Sequence, residues 1–125
     1  MSIPVLYHFT CEHGHAGIRA TRLLRPHTHP LMSSLGPLLW LVETPEPSRV
    51  SAGLTSSHLS CDCMAYRYIV KTKAAVRWTA IRARAPAEVV AILESYGKPE
   101  TWWVARRVLL ASEFALDETW KGARA

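Results

Sequence analysis

The side chains that could do chemistry gather near the N-terminus. His8 lies in Tyr7-His8-Phe9-Thr10, a run rich in strand formers. Residues two apart on a strand project from one face, so His8 and Thr10 stand side by side. An imidazole beside a hydroxyl can hold a ribose diol or a carboxamide, each of which offers both donors and acceptors. A core or edge histidine with its hydrogen bonds satisfied is the plainer reading of the same residue. Cys11, His13 and His15, together with Cys61-Asp62-Cys63, raise the question of zinc. Structural zinc sites space their cysteines about two to four residues apart, whereas a single residue intervenes in both clusters here. Reduced thiols beside exposed histidines fit that spacing better, and no metal site is expected. His27-Thr28-His29-Pro30 places two histidines on a loop with no acidic or thiol partner nearby in sequence. They read as exposed loop histidines, or as a lid over a cleft held between Pro26 and Pro37.

Other catalytic signatures are missing. The six glycines form neither GxGxxG nor GxxxxGK[ST], and there is no GxSxG, HExxH or DxDxDG. The 125 residues suit one domain with one core. A hydrophobic content of 49% is too high for a disordered chain. No apolar run approaches the roughly 20 residues that span a bilayer, and Met1-Ser2-Ile3-Pro4 lacks the basic region of a signal peptide. A cytoplasmic chain without membrane contact is expected. Three cysteines, an odd number, argue against a disulfide scaffold. The net charge of +5 comes from 15 Lys and Arg against 10 Asp and Glu, mostly arginine. The guanidinium fork matches phosphate, so nucleic acid and the phosphates of a small nucleotide compete as partners.

Elements must position these groups. Val5 to Thr10 reads as a strand after Pro4, and Thr10 as the cap of a helix over Glu12 to Thr21, weakened by Gly14 and Gly17. Leu23 to Pro26 is extended, and His27 to Pro37 is a long loop. Leu38 to Val42, apolar on both faces, is a central strand that Pro45 and Pro47 end. Arg49 to Ser60 is loop with at most a helical turn. Met64 to Lys71 is a strand bearing Tyr66 and Tyr68 on one face, and Val76 to Ile81 is another strand. Pro86 opens a helix that Gly97 stops, with Val89, Val90 and Leu93 on one face. Trp102 to Leu110 and Phe114 to Leu116 return as strands. Strands interleaved with one or two short helices, without a βαβ series, indicate an α+β domain.

The run Leu6-Tyr7-His8-Phe9-Thr10, then a helix with Gly17-Ile18, then Leu23-Leu24-Arg25-Pro26 and Leu39-Trp40-Leu41-Val42, resembles the opening of small ADP-ribosyltransferase-like proteins. That superfamily holds toxin and phage ADP-ribosyltransferases and RNA 2′-phosphotransferases. The resemblance is clearest over residues 5–42 and looser over 61–70. It implies a split antiparallel sheet that binds NAD and transfers its ADP-ribose to a nucleic-acid, protein or small-molecule acceptor. By that resemblance His8 holds the ribose of NAD, Thr10 lies near the nicotinamide amide, and Trp40 belongs to the facing wall. Tyr66 or Tyr68 stacks on nicotinamide, and Arg25, Arg49 or Arg67 meets the pyrophosphate. The catalytic glutamate that the family carries late in the chain has its nearest match in Glu113, with Glu100 as the other choice. In the phosphotransferases, arginines and a histidine do that work, and Arg106-Arg107 stand in a comparable place. A non-enzymatic alternative is a module that binds nucleic acid or protein through exposed tryptophans among Trp102, Trp103 and Trp120.

Overall fold

Pro4 leads into β1 (Val5–Thr10), where Leu6 and Phe9 are buried in two separate apolar layers. The computed structural model describes residues 3–47, 63–95 and 97–121. All of β1 pairs antiparallel with β5 (Tyr66–Lys71), from Val5 opposite Lys71 to Thr10 opposite Tyr66. Beyond β5 lies β9 (Phe114–Leu116) at one edge of the sheet. On the other side, β4 (Pro37–Val42) pairs with β7 (Trp102–Ala105), and β7 with β6 (Ala75–Arg77). The strand order is β6-β7-β4-β1-β5-β9, every pairing antiparallel. The middle of this sheet is thin. Among the described residues, β1 and β4 meet at a single register pair, Tyr7 opposite Val42. The start of β4 pairs instead with the two-residue β3 (His27–Thr28), and β2 (Leu23–Leu24) forms a separate ladder with β8 (Leu109–Leu110).

Helices cover both faces. On one, α1 (Glu12–Thr21) lays Ile18 against a layer that includes Leu6, Leu24, Leu39, Leu41 and Leu109. On the other, α2 (Trp78–Ile81) and α3 (Ala87–Glu94) pack against Phe9, Leu38, Val42 and Trp102, with Val89, Val90 and Leu93 turned inward as their spacing predicts. The fold is therefore α+β, an antiparallel sheet with a few short helices.

Several segments depart from the sequence reading. Val76 to Ile81 is strand only to Arg77, because Trp78 and Ile81 are buried while Thr79 and Ala80 between them are exposed, a helical spacing. Glu94 fixes the turn by accepting from the Trp78 indole N–H at 2.7 Å. The loop from His27 carries β3 and a 3₁₀ segment, Pro30–Leu35, anchored by buried Met32 and Leu35. Residues 102–110 split into β7 and β8, and the third long strand starts at Tyr66, not Met64. Cys11, not Thr10, occupies the N-cap of α1, without a side-chain cap bond. The loop reading of Arg49 to Ser60 lies outside the described residues.

Candidate functional site

Past Tyr7 and Val42, β1 and β4 no longer pair, and a cavity of about 770 Å³ opens there. Its walls are the end of β1, the glycine face of α1, residues 23–30 and the first half of β4. That volume suits a ligand of nucleotide size.

His8 spans the split. Its Nδ1 donates to the Trp40 carbonyl at 2.9 Å, side chain to backbone, where a strand ladder would otherwise run. A carbonyl only accepts, so Nδ1 carries the proton and Nε2 keeps its lone pair. Burial pushes the imidazole pKa below its usual value; the Trp40 bond opposes that shift and the neighbouring His27 adds to it. His8 is thus a neutral acceptor at physiological pH. The Trp40 indole packs at 4.9 Å from Trp78 and 6.1 Å, edge-on, from Trp102, which stiffens the carbonyl that holds His8.

Thr10 is placed by a glycine. A Cβ on Gly14 would sit 1.9 Å from Thr10 Oγ1, so the hydroxyl keeps this position only opposite a glycine. Gly17, one turn on, has open space where its side chain would be and borders the cavity. Two glycines three apart on a short helix are the sequence signal for this wall, although their helix-weakening effect is what stands out first.

One short segment of the lining carries an arginine and two histidines, Arg25, His27 and His29, within five residues. His29 Nδ1 accepts from the Leu31 N–H at 3.1 Å. An N–H only donates, so neutral His29 carries its proton on Nε2. No carboxylate is among the described lining residues.

Of the residues singled out by sequence, the structure brings His8, Thr10, Arg25 and Trp40 to this cavity. It does not bring Tyr66, Tyr68 or Glu113. The two tyrosines pack beneath α1: His15 stacks on Tyr66 at 3.9 Å and shares a 2.6 Å hydrogen bond with Tyr68. Burial lowers the His15 pKa and raises that of Tyr68, which keeps both neutral. Glu113 sits beside Thr72, past the far end of β5, roughly 20 Å along the sheet from Thr10. It accepts from Arg107 at 2.9 Å twice, from the Leu110 N–H at 3.1 Å and from the Thr72 hydroxyl. Arg107 first, then Thr72 and Leu110, hold its pKa at about 2 against the opposing effect of burial. These contacts make Glu113 a structural anion.

Arg67 is likewise engaged elsewhere: it bonds Asp117 and the Pro45 carbonyl beneath the Trp120 ring. Arg106 is exposed and donates to the Leu35 carbonyl at 3.4 Å. Glu100 is exposed in the turn Pro99–Thr101, two residues before cavity-lining Trp102. Arg49 lies outside the described residues. Trp102 is buried in the core and Trp120 donates to the Met64 carbonyl, so neither is an open binding platform. The described residues include no group of three or more His, Cys, Asp or Glu placed to hold a metal ion, and no described helix is long and apolar enough to cross a membrane. Comparison of the chain with protein-family models, with curated proteins and with solved structures found no match.

Proposed function

We propose that this domain is an ADP-ribosyltransferase-like split sheet that binds NAD in the opening between β1 and β4 and transfers its ADP-ribose. The observation that carries this reading is His8, a neutral imidazole locked to the Trp40 carbonyl at 2.9 Å with its Nε2 lone pair left as an acceptor. A ribose hydroxyl donates to that lone pair. In the transfer, the bond between the ribose C1′ and nicotinamide nitrogen breaks, and its electron pair leaves with neutral nicotinamide. The acceptor's oxygen or nitrogen bonds C1′ and gives up its proton to solvent. Positive charge builds on the ribose as nicotinamide departs, and a carboxylate nearby would stabilise it. Glu100, exposed two residues before Trp102 and outside the cavity lining, is the late glutamate left for that task once Glu113 is bonded elsewhere, and it would have to turn toward the cavity to serve.

The test is to mix the protein with NAD and follow nicotinamide release. Release is expected to fall at least about 100-fold in His8→Ala and in Glu100→Gln, while Glu113→Gln, assayed where it is folded, retains it. Absence of both nicotinamide release and a thermal shift with NAD in the wild-type protein sinks the reading. The carboxylate-free lining favours a second reading, an RNA 2′-phosphotransferase-like reaction in which basic side chains handle a phosphate passed to NAD. Phosphate transfer from a 2′-phosphorylated RNA that survives Glu100→Gln but requires Arg25 would select it.

A further inference from the structure

The cavity joins the two apolar layers of the fold. From the layer under α1 it is bordered by Ile18, Leu24 and Leu39, and from the opposite layer by Phe9, Leu38 and Trp102. All but Ile18 are at most 8% exposed, so the space is a gap between core side chains. Its long wall is α1, where Cys11, Gly14, Ile18 and Thr21 border it at successive turns. At about 1.5 Å per residue, that stripe runs roughly 15 Å. Along it, Gly17 leaves open space where a side chain would stand. Thr21 donates its hydroxyl proton to the Gly17 carbonyl at 2.9 Å, so it needs no partner in the cavity. Arg25, His27 and Thr28, which also border the space, are exposed and mark where it meets solvent. The cavity is thus an elongated trough, apolar inside and polar at its mouth. Apolar surface that faces water here is surface that a guest can cover with a gain in free energy.

We infer that this trough binds an unbranched acyl chain, laid along the glycine face of α1 with its polar end at the mouth. A chain of this kind matches the length of the stripe and needs no hydrogen bonds inside. It packs against both layers at once and completes the core between them. The inference does not rest on the NAD reading, since it follows from the apolar lining alone. The two ligands share one space, however, so an acyl compound in the trough excludes a nucleotide. That gives the domain a second ligand class and a means by which one class turns off binding of the other.

Calorimetric titration with octanoate, decanoate and dodecanoate, each below the concentration at which it forms micelles, tests the inference. Naphthoate, a compact aromatic acid, serves as the comparison. Each added pair of methylenes is expected to tighten binding by about tenfold, and dodecanoate raises the melting temperature of the protein. Gly17→Leu places a side chain in the trough, where a Cβ meets no atom within 4 Å. Leucine also favours the helix over glycine, so the variant without ligand melts no lower than the wild type. Its affinity for dodecanoate is expected to fall at least about tenfold, and that of Gly17→Ala, with one added methyl, by less. Affinity that does not depend on chain length overturns the inference. Naphthoate binding as tightly as dodecanoate does so too, as does dodecanoate binding that folded Gly17→Leu leaves unchanged. Chain-dependent binding without nicotinamide release leaves the inference standing and removes the transferase. Nicotinamide release without chain-dependent binding does the reverse.

Discussion

At the level of single residues, Thr10 and Glu113 show how neighbours decide a role that residue type leaves open. The Thr10 hydroxyl occupies the space that a side chain on Gly14 would need. Gly14→Ala is expected to push the Thr10 hydroxyl from its place and to destabilise the fold by about 1–3 kcal/mol, the range for overpacking. This reverses the gain that alanine normally brings to a helix, and chemical denaturation measures the sign directly. Glu113 has a different consequence. Folded, its carboxyl titrates at about 2, well under its ordinary 4.5. As acidity increases, the unfolded chain therefore takes up this proton first, and the stability Glu113 contributes is lost as pH falls from about 4.5 toward about 2. Thermal melts over that window should show Glu113→Gln less sensitive to acid than the wild type. His8 behaves in the same direction at higher pH. Its lowered pKa means that acidification below the ordinary histidine value disfavours the folded form.

At the level of elements, helix and strand identity was legible wherever one periodicity dominated. β1, α1 and β9 occupy the spans that their residues predict, and α3 presents the predicted face. Misreadings arose where burial overrode composition. Trp78 and Ile81 follow a β-like stretch yet point together into the core, and Met32 and Leu35 anchor a segment that looks polar. The site was legible by halves for the same reason. Its strand residues follow from alternation, but the place of Arg25, His27 and His29 in the lining depends on β3 pairing with β4, a contact no local pattern announces. The pairing of β5 with α1, through His15, likewise removes Tyr66 and Tyr68 from the cleft. One element end carries strain. Arg22 closes α1 at φ 58°, a left-handed conformation that favours glycine. Arg22→Gly is expected to stabilise the protein by up to about 1 kcal/mol, read as a higher melting temperature.

At the level of the whole molecule, two devices join parts distant in sequence. Arg67 and Asp117, each with 10% of its side chain exposed, tie the stretch after β9 to β5, and Arg67 also reaches the Pro45 carbonyl after β4. Arg67→Ala would leave Asp117 with only its Thr119 bonds in a nearly dry site. A loss of about 3–5 kcal/mol is expected in urea unfolding, typical of a buried pair with one partner removed. The second device is the seam of the sheet, where one register pair and the His8 side chain connect the β6-β7-β4 part to the β1-β5-β9 part. Past Tyr7, every second amide and carbonyl of β1 faces that seam with no ladder across it. On the reading proposed above, a nucleotide seated there would stand in for a missing strand. Amide hydrogens of β1 on that edge should exchange readily in the empty protein and slow on addition of ADP, so that the ligand closes the sheet and fills a gap in the secondary structure itself.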